Sequence, residues 1–138
     1  MAGNTPYLGQ NGAPTPTFEV SASITGGQLV EFDGTTQKIK PCTAGSGKCL
    51  GVALADGRPA GSGSNLDFGT IRPRIAVGRW IVNFVTYSAD TVAGAKLVAT
   101  ANGQVGPAGA TPDATTIVGQ CFEPGGVLAG TFARAWIF

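Results

Sequence analysis

The chain of 138 residues contains no histidine. That absence removes Ser-His-Asp and Cys-His catalytic machinery, and with them the commonest protein metal ligand. Charge is scarce too: Asp, Glu, Lys and Arg make up only 12% of the residues, and the net charge is +1. A balance so weak and scattered excludes the basic footprint of a nucleic-acid partner or an anionic membrane surface. No run approaches the ~18 apolar residues of a membrane-spanning helix. The N-terminus, Met1-Ala2-Gly3-Asn4-Thr5, lacks the basic region and apolar core of a secretory signal. No Asn-x-Ser/Thr glycosylation acceptor occurs. The 3 cysteines are odd in number, and nothing points to an oxidising compartment. Cys121, inside an apolar run, is expected as a small buried thiol. Cys42 and Cys49 flank a loop and could bridge, although synthesis in a reducing cytosol favours free thiols.

Catalytic and ligand motifs are correspondingly missing. Gly45-Ser46-Gly47-Lys48-Cys49 looks like the end of a phosphate loop, but that motif needs Gly where Cys42 stands and Ser or Thr at Cys49. Gly61-Ser62-Gly63 begins a dinucleotide pattern that Leu66 breaks at the third glycine. Cys42 and Cys49 without a second pair do not make a zinc site. The 8 carboxylates are scattered, and Asp33, Asp56 and Asp113 lie beside Gly or Pro, where Asp is an ordinary turn former. No catalytic residue, metal or cofactor is expected, and the chain reads as a protein other than an enzyme.

What the chain has in plenty is turn punctuation. Its 22 glycines and 9 prolines separate apolar runs within a 43% hydrophobic composition, which predicts a β-rich fold. Two stretches echo each other. Ile24-Thr25-Gly26-Gly27-Gln28-Leu29-Val30 is answered by Val92-Ala93-Gly94-Ala95-Lys96-Leu97-Val98, and Leu50-Gly51-Val52 by Val118-Gly119-Gln120, both at an offset of 68. Lys38-Ile39-Lys40-Pro41 likewise resembles Gln104-Val105-Gly106-Pro107. A duplicated strand-turn-strand unit predicts a mainly β, pseudo-twofold barrel or sandwich. Strands are expected over 28–32 and 37–41, joined at Asp33-Gly34, then over 49–55, 71–77, 79–87 and 131–138, with a short helical turn within 88–95 and a long Gly/Ser-rich loop over 57–69.

Residues 1–18 are read as an extended N-terminal arm and 19–138 as a single β domain. The arm carries no charged side chain; Pro14 and Pro16 favour an extended backbone, and its sizeable apolar groups are Tyr7, Leu8 and Phe18. It cannot fold alone, because ordering costs roughly 1–2 kcal/mol per residue and there is little to bury. It either stays loose or docks by adding a strand to a partner's sheet edge. Along 79–87, Trp80, Val82 and Phe84 share one face while Ile81, Val85 and Tyr87 share the other. Such a strand is either central or covered by another subunit. Trp80, Phe84, Arg134, Trp136 and Phe138 are therefore expected to form a self-association surface, with Arg134 as a rim cation over the Trp136 indole. Leu29, Ile39, Leu50, Val52, Leu97, Val105, Val118 and Phe122 are assigned to the core.

The residues carrying the duplication also carry a resemblance. Gly26, Leu29-Val30, Leu50-Gly51-Val52-Ala53, Gly94, Leu97-Val98, Asn102-Gly103-Gln104-Val105 and Val118-Gly119-Gln120-Cys121 make residues 19–138 resemble the small capsid decoration (cement) proteins of tailed bacteriophages. The resemblance implies a compact, often trimeric β barrel on the outer surface of the expanded capsid. There it sits at three-fold and quasi-three-fold positions and clamps neighbouring major capsid proteins. It also implies a virion protein made in the host cytoplasm, an N-terminal arm that pairs with capsid strands, and no catalytic residues. The loop at 57–70 is longer than that pattern accounts for. A glycan- or receptor-binding module of a phage fibre or adhesin, with Trp80, Trp136, Tyr7 and Tyr87 as a stacking platform, is the alternative. A minor head-tail or tail structural protein is a third reading.

Overall fold

Short β-branched and aliphatic runs between glycine-rich turns leave the backbone little choice but strands, and ten of them form among the described residues. The computed structural model describes residues 15–61 and 72–138. The strands are β1 (Thr17–Glu19), β2 (Leu29–Phe32), β3 (Ile39–Pro41), β4 (Gly51–Ala53), β5 (Arg74–Gly78), β6 (Ile81–Thr86), β7 (Lys96–Ala99), β8 (Val105–Pro107), β9 (Ile117–Cys121) and β10 (Phe132–Ile137). Single 3-10 turns occupy Ala101–Gly103 and Ala114–Thr116. Residues 88–95 form no helical turn; Thr91 there makes an antiparallel bridge with Val127 instead. Of the expected loop at 57–69, residues 62–69 lie outside the described residues.

Two five-stranded antiparallel sheets result, in the orders β1-β5-β4-β2-β3 and β6-β10-β9-β7-β8. The second order is the first with five added to every strand number, so the duplication covers the whole of both sheets. Details repeat as well. Val20 bridges Ile39 in parallel, as Tyr87 bridges Val105, so each sheet curls until its two edges meet at one end. Ser21 Oγ donates to the Ile39 carbonyl, and Ser88 Oγ to that of Val105, both at 3.2 Å.

The register differs by one residue from the sequence match in one strand pair. Val30 stands opposite Pro41 and Leu97 opposite Pro107. Leu97 therefore corresponds to Val30, and Lys96 to Leu29. A slip of one residue exchanges the faces of a strand, and it matters here. Val30 and Leu97 point into the interiors of their own sheets, while Leu29 and Lys96 lie on the outer faces.

Each curled sheet holds its own core. In the first, Val20, Ile24, Val30, Ile39, Ala53, Ile75 and Val77 are buried together. The counterparts in the second, including Tyr87, Leu97, Val105, Cys121, Ala133 and Ala135, belong to a larger cluster that also takes in Leu29, Cys42 and Val52 of the first sheet. The outer row of the first sheet is thus turned against the second half. The turn at 101–103 seals this junction: Gly103 N–H donates to the Cys42 carbonyl at 3.0 Å, and Gln28 Nε2 to that of Asn102 at 2.9 Å. Two expected core residues are displaced. Leu50 is half-buried against the first core, and Phe122 is on the surface.

Candidate functional site: an uncovered aromatic sheet face

β6 is an edge strand, paired on one side only, with β10. It is not central, and among the described residues nothing covers its outward side chains, Val82 and Phe84, which are exposed. Strand alternation places Val82 and Phe84 of β6 on the same side as Phe132, Arg134 and Trp136 of β10. Trp136 is opposite Val82 on one side and Gln120 on the other, and Arg134 is opposite Phe84. Phe122, one residue beyond β9, joins them because Cys121 points inward. Phe132 is 54% exposed, Phe84 49%, and Trp136 and Phe122 44% each.

The rings are mutually ordered. Phe84 lies against Phe132 at 5.5 Å, and Trp136 meets Phe122 and Phe138 edge-on at 6.3 and 6.1 Å. Arg134 grips Glu123 through two contacts, Nε to Oε2 at 3.1 Å and Nη2 to Oε1 at 3.0 Å, while its backbone N–H also reaches Oε2. These bonds hold the Glu123 carboxyl below the usual range for glutamate, so the pair is doubly ionised at neutral pH. The guanidinium lies 6.0 Å from the Phe122 ring, not on the Trp136 indole as expected from strand position. Lys96 Nζ covers Phe138 at 5.6 Å. Charged groups thus frame an apolar centre that holds no nucleophile or proton carrier.

Of the five residues assigned to self-association, Phe84, Arg134, Trp136 and Phe138 come together here. Trp80 lies in the turn between β5 and β6, 65% exposed, with φ at +59° and Arg79 stacked on it at 5.2 Å. A bulky residue in the left-handed region is uncommon, and the short turn holds it there. Phe122 and Glu123 belong to the same face and were not assigned to it. Period two puts Phe122 on the face opposite Cys121, but which of the two faces is covered is set by what packs on the sheet.

The duplication supplies an internal comparison. By register, Phe84 corresponds to Thr17, Phe132 to Arg74, Arg134 to Ala76, Trp136 to Gly78 and Phe122 to Leu54. The first sheet folds the same way without a single aromatic ring at these places. The fold does not require them.

Of the residues assigned to the arm, Tyr7, Leu8 and Pro14 lie outside the described residues. Pro16 accepts the Val77 N–H at 3.0 Å. Phe18 belongs to β1, is half-buried against the first core, and meets Phe32 edge-on at 5.5 Å. These two rings and Arg74 line an open hollow of about 520 Å³ beside the start of β1.

No family model matches the chain, and no curated protein matches it. Among solved structures, it is similar to the N base of the head fiber gp8.5 of bacteriophage phi29, with a TM-score of 0.63 and 15% identity. The match covers 91% of this chain and 93% of that one. At this identity the likeness shows a shared fold.

Proposed function

We propose that this chain is a structural protein of a bacteriophage head, acting as a capsid decoration protein on the outer surface rather than as an enzyme. The observation that carries the proposal is the uncovered aromatic face of β6 and β10. It is absent from the equivalent face of the first sheet, so it answers a need outside the fold. The likeness to a phage head fiber base supports the same setting. In this reading the aromatic face binds a neighbouring copy. Inside the chain, the outer row of the first sheet (Leu29, Val52, Gly78) is covered by the second half, whereas among the described residues no other sheet covers the matching row of the second (Lys96, Gln120, Trp136). A head-to-tail contact between copies would bury it, and such contacts must close into a ring or polymerise. Closure as a trimer suits a three-fold position over major capsid proteins. The part of the arm that precedes β1, residues 1–14, would then add three weak contacts to capsid strands, and the second and third would dock at high effective concentration.

Co-sedimentation with purified expanded capsids tests this proposal. Wild-type protein should pellet at saturating stoichiometry, and Phe84→Ser/Trp136→Ser should not; wild-type protein left in the supernatant would overturn it. The fold likeness also favours a second form of the same role, the base of a sparse head fibre. Electron microscopy of virions separates the two: decoration occupies every equivalent position, and fibres only some. The glycan-binding alternative loses one of its four stacking residues, because Tyr87 is fully buried with its hydroxyl donating to the Arg134 carbonyl at 2.7 Å.

A further inference from the structure

The connection from β3 to β4, residues 42–50, begins with Cys42 and carries Cys49 one residue before its end. Cys42 is 1% exposed in the core shared by the two sheets. Its N–H donates to the Leu29 carbonyl at 2.9 Å and its carbonyl accepts from Gly103 at 3.0 Å, so its backbone is clamped to both halves. Cys49 is half-buried against the same core, with Sγ 3.7 Å from the Gly51 carbonyl. Both thiols are free, and they hydrogen-bond to each other. Between them the loop crosses to the second sheet, where Gly45 N–H donates to the Ala99 carbonyl at 2.9 Å. The internal comparison applies again. Ala108 N–H donates to the Lys96 carbonyl just as Cys42 N–H donates to that of Leu29, so the fold accepts alanine at the Cys42 place.

We propose that Cys42 and Cys49 are a cross-linking site, converted by a small-molecule disulfide into a bond that fixes the loop joining the two halves. Cys49 is the entry point, since it is the more exposed of the two. The hydrogen bond from Cys42 holds its thiol below the usual range, while Cys42 itself is held above it by the same bond and by burial. The Cys49 thiolate attacks one sulfur of RSSR, forming Cys49–S–SR and releasing RS⁻. With Cys49 no longer anionic, Cys42 gives its proton to solvent, and its thiolate attacks Cys49 Sγ and expels the second RS⁻. Both leaving thiolates take up protons. Two thiols are oxidised and one RSSR is reduced to two RSH. The proposal stands independently of the capsid role.

Oxidised glutathione supplies the test on the full chain. After incubation, acid quenching, denaturation and alkylation, digestion after Lys48 should leave the peptide containing Cys42 joined to the one beginning at Cys49. That product should be two hydrogens short of the reduced pair, with Cys121 alkylated. In Cys42→Ala, Cys49 should stop at the mixed disulfide; in Cys49→Ala, Cys42 should remain a thiol. Closing a ring of eight residues should raise the wild-type melting temperature by roughly 5 °C or more over the reduced protein. A wild type that keeps glutathione on Cys49, or in which both cysteines are alkylated, would overturn the proposal. A cross-link that leaves the melting temperature unmoved would remove its role in fixing the junction.

Discussion

Gly51 and Gly119 occupy the same place in the two halves. A Cβ on Gly51 would strike the carbonyl oxygen of Gly78, and one on Gly119 that of Trp136. Gly51 also has φ at +149°, where a side chain is strained. Gly51→Ala and Gly119→Ala should each lower unfolding free energy by about 2–3 kcal/mol in urea titrations. Gly109→Ala, with open space around it, should stay within about 0.5 kcal/mol of wild type. Glu123 gives a pH-dependent counterpart. Its carboxyl is depressed by its bonds to Arg134, so the unfolded chain takes up a proton before the folded one does. The contribution is present above the ordinary glutamate pKa of about 4.3 and is lost as pH falls through the lower folded value. The stability difference between wild type and Glu123→Gln should therefore be visible at pH 7 and shrink toward pH 3. A difference that is constant with pH would show that the pair adds nothing beyond packing.

At the level of elements, β1 and the face of β6 and β10 make separable predictions. β1 pairs with β5 across Thr17↔Ala76, Phe18↔Ile75 and Glu19↔Arg74. Removing residues 2–14 should leave the circular dichroism spectrum and melting curve nearly unchanged, yet abolish capsid attachment. Removing residues 2–19 strips a strand, unpairs the β5 edge and uncovers Phe32, and should lower the melting temperature by several degrees at least. The aromatic face behaves in the opposite way. Trp136 and Phe84 are each nearly half exposed, so Phe84→Ser/Trp136→Ser should change stability by less than about 1 kcal/mol. Light scattering should find that variant monomeric where the wild type is a trimer. Unfolding of the variant would assign these rings to the core, and a monomeric wild type on and off the capsid would end the trimer proposal.

Seen as a whole molecule, the chain is one curled sheet duplicated, with the first copy's outer face buried inside the protein and the second copy's left exposed among the described residues. The duplication was legible from Leu50-Gly51-Val52 and Val118-Gly119-Gln120, because glycines at close strand crossings are fixed by local geometry, whereas the match of Gly26 to Gly94 was one residue out: Gly94 corresponds to Gly27, and both have positive φ. Alternation in 79–87 and 131–138 likewise placed Phe84, Trp136 and Phe138 on one side before any fold was known.

Local pattern thus determined the mainly β class, most of the strands and the inward or outward sense of β6 and β10, since backbone sterics and period two act within a few residues. Three things were decided only in three dimensions. The match of Val30, not Leu29, to Leu97 depends on which carbonyls pair across strands, and two adjacent aliphatic residues look alike in sequence. Phe122 fell outside the core because the side on which a sheet packs is set by the partner sheet. Leu29 and Lys96, equivalent in position, differ in burial because one outer face meets the other half of the molecule and the second meets no other sheet among the described residues, and no alternation within a strand records what lies above it.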